Sequence, residues 1–298
     1  MIKYYTINYY GGSDISNSNI SLVMRNKRVI SITLWCIIIT SVITSIRVPI
    51  VSAEINISTT ISSEVIYQNS TTLSVSINQS GNETAYDVEI YPLLTKDFSF
   101  DGTIVAEKLE PKEKLEGFFS IYINEDILQG NYPAVILINY SDAKRNLFST
   151  LSSTLLTYKT SNNSLVHGIF SSSKLTKNDL GEITLNIENL DDRAHEVKIN
   201  LYLPPELQSS FTQEIMPIDL VSNEKIIIEL ESNKALSGAS YSILASLEYD
   251  EDNFHYSSFA YGTVNIAEGK TISINAWVAI AIFIILLVVY IYYKWKGK

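Results

Sequence analysis

Apolar and polar residues alternate along much of the chain between residues 54 and 267, and this alternation limits the fold more than any other feature. In the segment 73–77, leucine, valine and isoleucine alternate with serine, and the segments 115–123 and 132–140 follow the same rule. Successive side chains of a β-strand point to opposite faces, so the pattern predicts antiparallel strands with one face buried. Turn signals separate these segments at Ser80–Asn82, Asp101–Gly102, Glu110–Lys112 and Gln129–Asn131. Many short strands between such turns predict an all-β sandwich.

The same sequence plan occurs twice in this region. Five pairs of landmark residues are each 109 positions apart: Ala85 and Ala194, Val88 and Val197, Ile90 and Ile199, Tyr132 and Tyr241, Tyr140 and Tyr249. One spacing over most of a domain indicates two copies of one fold. We therefore predict two tandem immunoglobulin-like β-sandwiches, at residues 54–159 and 165–268, joined by the polar linker 160–164. Stacked end to end, they would reach on the order of 70 Å.

The N-terminal part of the chain has the layout of an export signal. Residues 1–28 form an extension that ends in a basic cluster, and the start is either Met1 or Met24. Residues 29–53 combine a charge-free apolar stretch with a small-residue site that ends at Ala53. This layout predicts a signal peptide cut after Ala53, with an uncleaved signal anchor as the alternative.

The C-terminal part has the layout of a transmembrane helix. Residues 274–293 contain no charged side chain, and aromatic residues stand near both ends of the stretch. The tail 294–298 carries three lysines and is predicted to be cytoplasmic by the positive-inside rule. We therefore expect a single-pass membrane protein with residues 54–270 on the extracytoplasmic side and the lipid bilayer as one partner.

The outer region is acidic. Residues 54–270 carry 31 acidic and 14 basic side chains, a formal net charge of −17. Such a surface repels phosphate backbones, so we expect no nucleic-acid partner.

Residues suited to catalysis or metal binding are scarce. The single cysteine, Cys36, lies within the N-terminal apolar stretch, and the three histidines have no partner at a zinc-ligand spacing. We interpret His195, next to Glu196 in a predicted strand, as a surface residue. The acidic turn from Asp250 to Asn253 lacks the ligand order of a calcium loop. We therefore predict no catalytic, cofactor-binding or metal residues, no cofactor, and no enzyme activity.

Asn-x-Ser/Thr triplets in the outer region all lie in the first copy and its linker. They begin at Asn56, Asn69, Asn78, Asn82, Asn139 and Asn162. Asn78 and Asn139 fall on the polar parity of their strands, which predicts that both face solvent. The hypothesis is a glycosylated first domain and a second domain that is sheltered or bound to a partner.

Two tyrosines open late strands in equivalent places. Tyr132 follows Gly130, and Tyr241 follows Gly238. This resembles the tyrosine corner of immunoglobulin-like sandwiches, in which the ring hydroxyl bonds to backbone just upstream. The alternative is that both are ordinary core aromatics.

The first copy also resembles a family of cell-surface modules. It reads Leu-x-Val-x-Ile-Asn-x-x-Gly-Asn-x-x-Ala-x-Asp-Val-x-Ile from Leu73, then Leu109-Glu-Pro-Lys-Glu, then Gly-x-Tyr, and ends a strand at Tyr140-Ser-Asp142. This is similar to the CARDB-type and NEW3-type immunoglobulin-like domains of archaeal and bacterial S-layer-associated proteins. The resemblance implies an envelope context and no shared catalytic residues.

Two functions remain open on these grounds. The first is a membrane-anchored structural, adhesion or binding module of the cell envelope that binds an envelope protein or glycan. The second is an accessory subunit of a membrane complex, such as a transporter or secretion assembly, held by an integral membrane partner.

Overall fold

The computed structural model describes residues 54–124, 126–177, 180–219, 221–232 and 234–267, with seven helical positions between 282 and 293. The predicted N-terminal signal segment lies outside the described residues, as does most of the predicted transmembrane segment 274–293. Among the described residues, no helix combines the length and the apolar character needed to cross a membrane.

The described part of 54–267 is built from β-strands, as the alternation predicts. The strands of the first half are β1 (Ile57–Ser63), β2 (Ser70–Gln79), β3 (Ala85–Leu94), β4 (Phe98–Asp101), β5 (Ile104–Leu109), β6 (Lys114–Ile123), β7 (Gln129–Ser141) and β8 (Leu147–Tyr158). Those of the second half are β9 (Val166–Phe170), β10 (Ser173–Thr176), β11 (Leu180–Asn189), β12 (His195–Tyr202), β13 (Gln213–Ile218), β14 (Asn223–Glu231), β15 (Ser240–Glu251) and β16 (Phe254–Ala267).

Both halves share a common strand order, to which the first half adds β4 and the second half adds β10. In the first half, the sheet β1-β2-β6-β4 faces the strands β5-β3-β7-β8. In the second half, the sheet β9-β11-β14 faces β13-β12-β15-β16, with β10 on the far side of β16. This division of consecutive strands between two facing sheets resembles an immunoglobulin-like sandwich.

Each half has its own hydrophobic core. The buried residues of the first core lie between residues 66 and 156, and those of the second between residues 166 and 266. Phe119 and Ile136 are fully buried in the first core, as are Leu185 and Leu247 in the second. Separate cores of this kind explain why one pattern of inward residues could be repeated along the chain.

The two halves nevertheless belong to one compact unit, residues 52–271. A third buried cluster joins them, formed by Val135 of β7, Leu151 of β8 and Leu244 of β15. These residues lie on the strand faces that point away from the two sandwich cores. The prediction of sandwiches stacked end to end is therefore wrong. The sheet β5-β3-β7-β8 of the first sandwich contacts the sheet β13-β12-β15-β16 of the second through these faces.

The central strands β7 and β15 carry the signal for this contact. Residues 134–138 and 243–247 are almost continuously apolar and buried on both parities. A strand that is buried on both faces has a continuous apolar run, whereas a half-exposed strand alternates. The apolar residues on the outward parity of these strands are therefore the sequence signal of the contact between the sandwiches, and the alternation on the inward parity alone does not predict it.

One predicted turn also proves to be part of a strand. Residues 129–131 begin β7, and two of them pair with β16 in parallel, Gln129 with Phe254 and Gly130 with His255. This short pairing lies beyond the last β3 partner on β7, Ala134. It joins the sheet that contains β7 and the sheet that contains β16 into one nine-stranded sheet.

Candidate functional site

The two candidate tyrosine-corner residues are both buried. The hydroxyl of Tyr132 donates to the Leu128 carbonyl at 2.8 Å, and the hydroxyl of Tyr241 accepts from the Leu236 backbone N–H at 3.0 Å. A tyrosine corner has a bond of this kind, from the ring to backbone a few residues upstream. Burial raises the pKa of both phenols, so both rings remain neutral in the folded protein.

Tyr132 also forms part of the junction between the sandwiches. Its ring stacks on the imidazole of His255, with centroids 4.1 Å apart and planes inclined by 7°. Next to this stack, the Ser257 hydroxyl donates to the Asn131 carbonyl at 2.5 Å. The start of β7 is therefore held against the start of β16 by a ring stack, a side-chain hydrogen bond and the parallel strand pairing.

His255 lies between two carboxylates of the second sandwich. Its Nδ1 is 2.6 Å from Asp250 Oδ1, and its Nε2 is 3.6 Å from Glu248 Oε2. Burial by itself would lower the pKa of His255, but the hydrogen bonds and charges of both carboxylates outweigh it and raise the pKa above its ordinary value. Glu248 is itself buried, and its other oxygen accepts from Asn200 and Ser246.

This cluster lines a cleft of about 470 Å³ between the two sandwiches. Besides His255 and its two carboxylates, the charged side chains of the cleft are Lys96, Asp97, Asp126, Glu196 and Lys198. Carboxylates outnumber the lysines, so a protonated His255 gains favourable charge from both halves. The carboxylates of the cleft thus favour the protonated form of the His255 ring, which stacks against Tyr132.

We expect His255 to strengthen the fold more at acidic than at alkaline pH. Because its pKa is raised on folding, the stabilisation is complete below the ordinary value of about 6.5 and is lost as pH rises through the folded pKa. The free energy of unfolding of the full chain and of His255→Gln should therefore differ more at pH 5.5 than at pH 8.5. His167→Gln, at an exposed position, is the control. An equal difference at both pH values would contradict the assignment.

His195 is buried, so its interpretation as a surface residue is wrong. Its Nε2 is 2.9 Å from Asp191 Oδ2, and its ring packs on Tyr249 with centroids 4.2 Å apart. The hydrogen bond to His195 helps to hold the pKa of Asp191 below its ordinary value against the opposing effect of burial. The ring lies on the core-facing side of β12 at the start of the strand. The preceding turn places Asp191 beside it, so that its Nε2 has a partner although it is buried.

Glu251 joins this pair from the end of β15. One ligand atom from each of Asp191, His195 and Glu251 lies within 4.8 Å of the others, a grouping that sequence spacing did not indicate. The guanidinium of Arg193 binds Glu251 at 2.5 Å and Asp252 at 3.0 Å. Arg193 thus supplies the positive charge that these carboxylates require, and the group forms an ion-pair network around the turn.

A turn between β15 and β16 creates this proximity. Asp252 and Asn253 both have positive φ, 50° and 66°, the backbone of a tight hairpin turn. The turn sets Glu251 opposite Phe254 in the strand pairing. The adjacent residues Asp252 and Asn253 are a turn signal that can be recognised in the sequence. The turn that contains Asp191 comes close to them only through long-range packing, which the sequence does not indicate.

The candidate glycosylation sites differ in environment. Asn56, Asn69, Asn78 and Asn82 are exposed. Asn162 is half-buried, and its carbonyl accepts from the Asn131 side chain at 2.6 Å. Asn139 is half-buried as well, with Oδ1 2.9 Å from the Ser149 hydroxyl. Its predicted exposure is therefore wrong, since the face of β7 that it occupies is turned toward the second sandwich.

We expect Asn139 to remain unmodified even where exposed Asn-x-Ser/Thr sites carry sugar. Its triplet ends at Ser141, which is 1% exposed and has its hydroxyl 3.2 Å from Asp87 Oδ2. A glycan on Asn139 would also displace the contact with Ser149. Glycopeptide mass spectrometry of protein isolated from its native source checks this, with Asn78 as the exposed comparison. Sugar on Asn139 would contradict the expectation, and an absence of sugar throughout would remove the glycosylation hypothesis itself.

No protein-family model and no curated protein matches this chain. Among solved structures, it is similar to a protein of unknown function from Porphyromonas gingivalis W83, at 10% identity and a TM-score of 0.26, over 70% of this chain and 99% of that one. A PapD-like domain of human CEP192 aligns at 11% identity and a TM-score of 0.26, over 36% of this chain and 89% of that one. The YadV chaperone aligns at 14% identity and a TM-score of 0.27, over 68% of this chain and 98% of that one. Similarities this distant leave the family unassigned.

Proposed function

We propose that this chain is a membrane-anchored, extracytoplasmic binding module of the cell envelope, in which both sandwiches act as one body. The apolar segments at both ends of the sequence support the anchored topology. The buried contact and the shared sheet between the sandwiches support the single body. The resemblance of the first copy to CARDB-type and NEW3-type modules supports an archaeal or bacterial envelope as the setting of this role.

The observation that carries the binding role is the outer face of the sheet β1-β2-β6-β4. Phe118 and Tyr122 of β6 are 64% and 43% exposed on this face. They pair across β2 with Ser74 and Ser70, and Thr60 and Ser62 of β1 continue the row of hydroxyls. Aromatic rings set among hydroxyl groups provide both apolar contact and hydrogen bonds for a glycan or a protein loop.

Binding through this face is tested with Phe118→Ala and Tyr122→Ala in the full chain. We expect the double variant to lose retention on isolated cell envelopes while its thermal unfolding stays unchanged, because neither ring belongs to the core. Val105→Ala removes an exposed apolar residue from another strand and serves as the control. Equal retention of both variants would remove this face from the proposal.

The topology is tested separately by labelling introduced cysteines in a Cys36→Ala background. A membrane-impermeant maleimide should label Glu107→Cys in intact cells and Lys296→Cys only after permeabilisation. Glu107 is exposed on β5 of the first sandwich, and Lys296 lies in the predicted cytoplasmic tail. The reverse labelling pattern would overturn the proposed orientation.

One observation favours the alternative role as an accessory subunit of a membrane complex. The outer face of the sheet β9-β11-β14 presents Ile169 and Ile227, 68% and 64% exposed, on either side of β11. Exposed apolar side chains grouped on one face are typical of a surface covered by a partner. Extraction in gentle detergent should co-purify an integral membrane partner under this alternative, and Ile169→Ser with Ile227→Ser should release it.

A further inference from the structure

A groove between the sandwiches contains a buried carboxylate with an unpaired oxygen. Glu206, in the loop between β12 and β13, is 4% exposed. Its Oε1 accepts from the Ser149 hydroxyl at 3.0 Å, whereas its buried Oε2 accepts no hydrogen bond from any described residue. Among the described residues, no cation lies within ion-pair distance of it. A carboxylate in this situation carries an uncompensated cost of desolvation, which a positively charged donor would relieve.

The groove around Glu206 is lined by both apolar and polar side chains. It has a volume of about 670 Å³ and is formed by residues of both sandwiches. Tyr140 and Phe148 stack with centroids 5.6 Å apart, and Leu147 is 72% exposed at the rim. An aliphatic chain fits against such walls, and aromatic rings also attract a cation.

The remaining charges of the groove point to the same kind of ligand. Asp87 is paired with Arg145 at 2.6 Å, and Glu89 accepts from the Tyr91 hydroxyl at 2.5 Å. Glu206 is thus the carboxylate in the groove without a charged or phenolic partner. Burial raises the pKa of Glu206 above its ordinary value, and the hydrogen bond from Ser149 and the more distant charge of Lys234 only partly offset this effect. The acidic charge of the outer region further raises the local concentration of cations.

From this geometry we infer that the groove binds a primary ammonium group carried on an apolar stem, as in a lysine side chain or the amino terminus of a polypeptide. The ammonium donates to Glu206 Oε2, and the stem lies against Leu147 and Phe148. This inference rests on the proposed function, because it names the chemistry that one partner of the binding module presents. Lys234, exposed at the rim of the same groove, repels the ligand and limits its affinity.

Calorimetric titration of the full chain in detergent tests this inference with three capped or uncapped tripeptides. Acetyl-Gly-Lys-Gly-amide presents a lysine ammonium, and acetyl-Gly-norleucine-Gly-amide presents the same stem without the charge. Gly-norleucine-Gly-amide presents a free amino terminus. We expect saturable binding of at least one amine-bearing peptide and roughly 10- to 100-fold weaker binding of the fully capped norleucine peptide, the range of a charge-assisted hydrogen bond. Which amine binds tells whether the source is a side chain or a chain terminus.

Two variants and one control variant locate the ligand. Glu206→Gln should weaken binding of the amine-bearing peptide by roughly 10-fold or more, and Glu107→Gln, on the exposed face of β5, should leave it unchanged. Lys234→Gln should strengthen binding several-fold. Because Lys234 is exposed, this result does not depend on whether Glu206→Gln folds correctly. Unchanged binding in Glu206→Gln, weaker binding in Lys234→Gln, or no saturable binding of either amine would each overturn the inference. The maleimide labelling pattern is independent of these results, so failure of the groove assignment and failure of the membrane-anchored module are distinguishable.

Discussion

Replacing Gly130 by alanine should disrupt the junction between the two sandwiches. A Cβ built on Gly130 would lie 1.9 Å from the backbone carbonyl oxygen of His255, far inside contact distance, and the residue has φ of +147°. The overlap is with backbone, so no side-chain rotation relieves it, and the pairing of β7 with β16 must separate. We expect a loss of at least about 3 kcal/mol in the free energy of unfolding, because steric overlap adds to the strain of positive φ.

Gly102→Ala is the matched control for this change. Gly102 also has positive φ, +116°, but its nearest heavy atom to an added Cβ is 3.1 Å away. It should therefore show the backbone strain with only a slight steric overlap, a loss of about 1–2 kcal/mol in the free energy of unfolding. Chemical denaturation compares the two variants, and hydrogen exchange at residues 129–132 and 254–257 reports on the junction directly. Equal costs for the two glycine variants, or unchanged protection at the junction, would show that the pairing of β7 with β16 does not couple the sandwiches.

Replacing Asn189 by alanine should be nearly as costly. Asn189 ends β11 and is fully buried, with its side-chain nitrogen donating to the carbonyls of Arg193 and Asp219 at 2.8 and 3.0 Å. Its side-chain oxygen accepts from the Asp191 backbone N–H at 2.9 Å. Alanine leaves three partly buried backbone groups without this partner, and we expect a loss of roughly 2–3 kcal/mol.

The first sandwich contains an equivalent residue, which sharpens this test. Gln79 ends β2, is fully buried, and binds the backbone of Asn56, Gly81 and Glu83. Gln79→Ala should thus destabilise the first sandwich as Asn189→Ala destabilises the second. Asn186→Ala, on the solvent side of β11, should cost under about 1 kcal/mol, because its weak side-chain hydrogen bond is exposed. Similar denaturation midpoints for Asn186→Ala and Asn189→Ala would rule out a structural role for these buried amides.

Asn189→Ala carries a second expectation for the site around His195. The turn that Asn189 holds is the one that brings Asp191 to His195. Its loss should expose the imidazole of His195, which chemical modification of the histidine would detect. The stability of the second sandwich and the burial of His195 thus both depend on the side-chain amide of Asn189.

Much of the architecture was predictable because it depends on short-range rules. Inward positions such as Leu73, Val75 and Ile77 are at most 2% exposed, as the alternation predicted. The all-β character and the repeated strand order follow from local periodicity, which two separate cores preserve in each copy. The same reasoning located Tyr132 and Tyr241 at the start of equivalent strands.

The candidate sites were far less predictable, because they assemble residues distant in the sequence. Ser149 meets Glu206 across 57 positions, and Ser257 meets Asn131 across 126 positions. His195 has charged neighbours in its own sequence segment and still lies buried, since its strand places it against Tyr249. Asn139 follows the polar parity of its strand, yet that parity faces the second sandwich.

Local patterns in the amino-acid sequence were enough to define the strand periodicity, most of the predicted turns and the doubling of the fold, because each of these depends on contacts within a strand or between neighbouring strands. They also defined the apolar ends, whose predicted roles in export and anchoring remain predictions. The packing of the two sandwiches through their sheets, and with it the environment of His255, Glu206 and Asn139, became visible in the three-dimensional fold. Alternation specifies which strand faces are apolar or polar, whereas the partner of an outer face is set by packing between domains.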